Sequence, residues 1–102
     1  MGSTTAWPSA LSIAASWDIS LMYQWANAMG LEFKQKGANI ALAPGIGIAR
    51  VPNAGRNFEY LCGEDPILGA TLVTNVIKGY IYYLSILYIL YNHIILIYNK
   101  YC

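Results

Sequence analysis

Histidine, cysteine and charge are all scarce in this chain of 102 residues, which has one His, two Cys and 11% charged residues. Cys62 and Cys102 lie in different kinds of sequence and offer no C-x2-C spacing, so both read as free thiols. His93 has no Asp, Glu or Cys at a helical or hairpin spacing. No metal is expected, and no cofactor. The formal charge is +1 and no basic run interleaved with aromatics occurs, which removes the electrostatic footprint of a nucleic-acid partner. The amino terminus, Met1 to Ala6, lacks the basic and apolar regions of a secretory signal. Ala6 also breaks the myristoylation pattern, so no address is read.

What is present is punctuated by caps and breakers. Asp18 is a helix cap by type, and Met22, Trp25, Met29 and Phe33 then recur at three- and four-residue steps. That stripe predicts an amphipathic helix over about Ile19 to Lys36, stopped at Gly37, with its apolar residues in the core. Ala38 to Ala43 is short and almost wholly apolar, as suits a parallel strand covered on both faces, although a buried helix segment has the same signature. Pro44 ends it. Asp65 and Pro66 make a cap and a first-turn proline, which predicts a second helix from Pro66 to Lys78 with Gly79 beyond. Ala10 to Ala15, between Pro8 and Trp17-Asp18, is a weaker strand candidate. The order strand, helix, strand, loop, helix is the alternation of parallel α/β sheets and barrels.

Between the second strand and the second helix lies the most informative stretch, Ala43 to Pro66. It is rich in Gly, Pro, Arg and carboxylates and is too long for a mere connector. In a barrel, such strand-to-helix loops form the mouth where active sites sit, with the Lys36 to Ala38 turn on the opposite face. A guanidinium offers donors in a fixed fork that reaches two neighbouring hydroxyls at once, and Arg56, behind Gly55 and ahead of Asn57, is suited to that. The competing reading pairs Arg56 with Glu59 or Glu64 to hold the loop. Arg50, Asn57, Glu59, Glu64 and Asp65 read as loop architecture, Asp65 as the cap.

Several short signatures in this chain fall in a consistent order. They are Trp7-Pro8-Ser9-Ala10, Ala14 to Asp18, Met29 to Phe33, Lys36 to Asn39, Leu42 to Gly45, Arg50 with Pro52, Gly55-Arg56-Asn57-Phe58-Glu59 and Gly63-Glu64-Asp65-Pro66. Together they resemble the amino-terminal barrel of glycoside hydrolase family 3, of the β-glucosidase type, over residues 7–79. A complete (β/α)8 barrel needs about 250 residues. The resemblance therefore implies an α/β chain holding a fragment of a TIM barrel, about two strand-helix units. It also implies a retaining β-glucosidase as parent, acting on terminal non-reducing β-D-glucosyl residues of a β-glucoside or oligosaccharide, with Arg56 as the substrate-binding residue. Members of the family are often secreted.

The same resemblance implies that no catalytic residue lies here. A retaining glycosidase needs a nucleophilic carboxylate and an acid/base about 5–5.5 Å apart. In the family both come from later segments, so Glu59 and Glu64 are not that pair. The Asp-Gly-Pro-x-Gly-type motif upstream of Trp7 and the Lys-His motif after Gly79 are also missing. These residues alone are expected to be inactive.

At Gly79 the pattern stops, and seven of the nine tyrosines lie in residues 80–102. Tyr80 to Tyr98 approaches the roughly 20 residues of a membrane span, with Tyr and Lys at its flanks but Asn92-His93 interrupting it. A soluble strand or helix is a second reading. The favoured one is translated intron, because Ile, Tyr, Asn, Lys and Leu are encoded by AT-rich codons. The alternative function is a small non-catalytic protein anchored in a membrane through residues 80–98.

Overall fold

The computed structural model describes residues 2–83 in full and, beyond them, the backbone of Ile86–Tyr91 and Ile94–Asn99. Three helices and three strands follow in the order α1 (Ala10–Ala14), α2 (Ile19–Gln35), β1 (Ile40–Gly45), α3 (Pro66–Ile81), β2 (Ile86–Tyr91) and β3 (Ile94–Asn99). β1 pairs with β2 in parallel across α3, and β2 pairs with β3 antiparallel, giving a three-stranded sheet in the order β1-β2-β3. One βαβ unit is present instead of two strand-helix units, and among the described residues no barrel closes.

The first expected strand is the missing one. Ala10–Ala14 is a short helix whose cap, Ser9, accepts a hydrogen bond from Ser12 N through its hydroxyl at 3.2 Å. Its Ala-Leu-Ser-Ile-Ala sequence carries good helix formers, and a short apolar run has no periodicity to set helix against strand. The chain turns out of α1 at Trp17, which takes a left-handed backbone with φ 56°.

α2 forms as expected. The Asp18 carboxylate accepts from Leu21 N at 2.9 Å, and the helix runs out at Gly37, whose φ of +77° suits the left-handed turn after a helix. Met22, Trp25, Ala26 and Gly30 are its buried residues, while Met29 and Phe33 pack half-buried against the same core. α3 opens on Asp65, whose carboxylate accepts from Ile67 N at 2.9 Å and Leu68 N at 3.1 Å.

α3 does not stop at Lys78 but continues to Ile81, with Gly79 inside it. The reason is the crossing of α2 and α3. A Cβ at Gly79 would lie 2.7 Å from Ala26 Cβ, 2.8 Å from Asn27 N and 2.9 Å from Tyr23 O, so only glycine lets the two backbones meet there. Gly30 faces the same crossing from α2, where a Cβ would lie 3.2 Å from Tyr80 O. Gly79 is thus a contact residue of the helix pair.

Tyr80, the first residue of the compositionally distinct tail, is 1% exposed and sits in the core. Its ring meets Trp25 and Phe33 edge-on at centroid distances of 6.3 and 6.5 Å, and its hydroxyl donates to Met29 Sδ at 3.4 Å. Burial pushes the Tyr80 phenol well above its ordinary range. Leu61, Leu68, Leu72 and Val76 complete the core under this cluster.

β1 covers Ile40–Gly45, two residues later than Ala38 to Ala43. It was expected to be buried on both faces, yet only Ala41 and Pro44 are buried, and Leu42 is 70% exposed. α3 packs against β1, while Ile40 and Leu42 are left exposed.

Candidate sugar-binding loop

The loop leaves the carboxyl end of β1 and is pinned back at two places. Leu61 N donates to Gly45 O and Ala49 N to Gly63 O, each at 2.7 Å. Between these pins it makes two single 3-10 turns, Pro52–Ala54 and Asn57–Glu59, with Gly55 between them at φ +80°. That left-handed position favours glycine and turns the chain so that Arg56 starts the second turn.

Arg56 Nε donates to Glu59 Oε1, and this ion pair lies on the surface, with 71% of the Arg56 side chain exposed. The hydrogen bond to Glu59, aided by its charge, raises the Arg56 guanidinium above its ordinary value and keeps it a cation. Of the two pairings the sequence allowed, the structure has Glu59. Glu64 is exposed on the other side of Cys62 and Gly63. Asn57 Nδ2 donates to Val51 O at 2.9 Å and so ties the second turn to the strand-like entry of the first. Asp65 serves as the α3 cap.

Arg50, Arg56, Asn57 and Tyr60, with Gly47, Ile48, Val51 and Ala54, line an open groove of about 390 Å3. Arg50 and Arg56 give the groove cationic donors, Asn57 a neutral one, and Tyr60 a ring and a hydroxyl. Such a set fits a neutral polyol, where a fork of donors meets pairs of hydroxyls. Among the described residues no group of three His, Cys, Asp or Glu is placed to hold a metal ion. Cys62 is buried and unbridged, its thiol near Gly47 O at 3.5 Å and pushed up by burial, which makes it a packing residue. Its Cβ would meet a Cβ at Gly69 at 2.6 Å, so α3 and the loop touch through that pair. Cys102 and His93 lie outside the described residues.

Tyr60 was not singled out by sequence reasoning. It forms an isolated parallel bridge with Gly45, and a Cβ on Gly45 would meet its ring at 2.9 Å. Nothing in the Glu-Tyr-Leu-Cys run signals this, because the contact depends on a glycine fifteen residues earlier.

A βαβ unit with a groove lined by cationic side chains at the carboxyl end of its first strand has the layout in which α/β folds place their ligand sites. Residues 1–82 match the model of the glycosyl hydrolase family 3 N-terminal domain, and the chain belongs to that family. It is 49% identical over 76 residues to "Probable beta-glucosidase" of Arthroderma benhamiae, which covers 74% of this chain and 9% of that protein. "Beta-glucosidase A" of Aspergillus kawachii is 45% identical with the same coverage, and "Thermostable beta-glucosidase B" of Acetivibrio thermocellus is 44% identical over 75 residues, 10% of its length. The crystal structure of a Bifidobacterium adolescentis GH3 beta-glucosidase superposes with a TM-score of 0.67 at 36% identity, covering 74% of this chain and 11% of that one. The family domain is of the TIM-barrel type. This chain spans 9–10% of the length of these curated relatives.

Proposed function

We propose that these residues form the sugar-holding loop segment of a β-glucosidase-type glycoside hydrolase, with Arg56 binding hydroxyls of a terminal β-D-glucosyl residue. The observation that carries this reading is the groove at the end of β1, where Arg56 is exposed and oriented through its Nε by Glu59. Holding the guanidinium by one nitrogen leaves the outer edge of the fork for a ligand. The ion pair that competed with sugar contact in the sequence thus becomes its support. In a low-exposure complex with sugar, charged hydrogen bonds of this kind contribute about 1.5–3 kcal/mol each.

Hydrolysis with retention requires two carboxyls flanking the scissile bond. Glu59 is engaged with Arg56 and Asp65 with the start of α3, which supports reading both as loop architecture. The nucleophile and acid/base of the parent reaction belong to other segments, and these 102 residues alone do not turn over a β-glucoside. The test is a chimaera in which residues 1–82 replace the matching segment of the Bifidobacterium adolescentis enzyme. An active chimaera whose kcat/KM for an aryl β-glucoside falls at least about tenfold on Arg56→Ala supports the reading. An active chimaera indifferent to that change sinks it.

For residues 80–102 the reading remains translated intron, supported by the abrupt change of composition. Sequencing the transcript across the Gly79 codon tests it. The alternative is a non-catalytic protein anchored in a membrane through residues 80–98. No helix among the described residues is long and apolar enough to cross a membrane. Recovery of the expressed chain in a carbonate wash would rule that alternative out.

A further inference from the structure

Away from the loop, the segment preceding α1 is fastened to α2 by one side chain. Glu32 Oε1 accepts from Thr5 N at 2.8 Å, and Glu32 Oε2 accepts from the Trp7 indole Nε1 at 2.7 Å. Both oxygens of one carboxylate are thereby committed to donors that lie 25 and 27 residues earlier in the chain. We propose that Glu32 is an acid-labile latch that holds the amino-terminal segment, and with it Trp7, against α2.

The chemistry follows from the acceptor count. An ionised carboxylate is acceptor-only and serves both N-H groups. Taking up one proton from solvent removes the negative charge and turns one oxygen into a hydroxyl, a much poorer acceptor for the N-H aimed at it. Both bonds weaken, the one to the protonated oxygen most, and the segment is held less firmly. The hydrogen bonds from Thr5 and Trp7, with a smaller contribution from the Lys36 ammonium, hold the Glu32 carboxyl below its ordinary value. A depressed folded-state value means that the latch is closed above the ordinary glutamate range and opens as pH falls through the folded-state value.

Lys36 is the one other charged group among the described residues lining the cleft beside Thr5, Trp7 and Glu32, and it caps the carboxyl end of α2 one turn after Glu32. On its other side Trp7 walls a second cavity of about 320 Å3 together with Trp25, Met29, Tyr60 and Tyr80. The titratable groups there are Glu59, Tyr60 and Tyr80, and Tyr80 stays protonated throughout the acid range. Opening the latch therefore frees one lining residue of a cavity that shares Tyr60 with the groove of Arg56.

The test is a 15N-1H correlation series on the uniformly labelled full chain from neutral pH to about pH 3. The Thr5 amide and the Trp7 indole N-H are expected to shift together, with one midpoint below 4.5, the ordinary glutamate value. Glu32→Gln is expected to flatten both curves. Trp7→Phe, which keeps the ring and removes the donor, is expected to leave Thr5 titrating with its midpoint moved up toward 4.5. Failure of either wild-type resonance to titrate, separate midpoints for the two, or an unchanged titration in Glu32→Gln would overturn the latch.

Discussion

The crossing of α2 and α3 and the loop from β1 to α3 are built on opposite terms. At the crossing, backbones approach within contact of Gly79 and Gly30, and two aromatic rings meet a fully buried tyrosine edge-on. In the loop, the Arg56 side chain is mostly in solvent and is steered by one surface ion pair. Surface pairs contribute little to stability, whereas a large buried side chain contributes several kcal/mol. The difference teaches that this segment separates what holds it together from the charged side chains it leaves in solvent. Changes in one region should be nearly silent in the other.

The sharpest way to break that separation is Tyr80→Ala. Emptying the core position is expected to cost about 3–5 kcal/mol in urea unfolding of the chain. A loss below about 1 kcal/mol would mean that Tyr80 belongs to the tail and not to the core. Gly79→Leu comes next. Its side chain must displace backbone atoms of α2, and an overpacking cost of about 1–3 kcal/mol is expected. Wild-type stability in that variant would refute the close crossing.

Asp65→Ala removes a cap serving two amides and is expected to cost about 1 kcal/mol, visible as a lower urea midpoint with unchanged slope. Tyr80→Phe gives a smaller effect with a distinctive pH dependence. Because burial raises the folded-state value of Tyr80, its contribution is complete below 10.0, the ordinary tyrosine value, and is lost as pH rises above that. The Phe variant should therefore lose less stability in alkali than the wild type, and parallel curves would remove Tyr80 from the account. Arg56→Ala stands at the bottom of the series, with no measurable change in the urea midpoint. A clear destabilisation would show that the Arg56–Glu59 pair serves the loop and not a ligand.

The helix caps were legible in the sequence because their chemistry is local. Asp18 and Asp65 each reach amides two or three residues ahead, so residue type and spacing suffice. The stripe from Met22 to Phe33 was equally legible, since one face of one helix carries it. Arg56 could be singled out by its Gly-Arg-Asn setting, and the structure places it beside Glu59 on the groove. What escaped depends on partners far away in the chain. Gly79 looks like a helix stop until α2 is laid against it, and Tyr80 looks like part of a tail until Trp25 and Phe33 enclose it. Ala10–Ala14 is too short for periodicity to choose between strand and helix, and its Ser9 cap was passed over. The Trp7 and Glu32 bond joins two residues that sequence reading assigned to no site at all.

The glycine contact between α2 and α3 also fixes how the molecule comes apart. With no side chain at Gly79 to act as a spacer, lifting α3 by even a fraction of an ångström breaks van der Waals contact along the whole crossing at once. Amide exchange in the two helices should then report a single opening event with one free energy, so that neither helix frays inward from the crossing while the other stays folded.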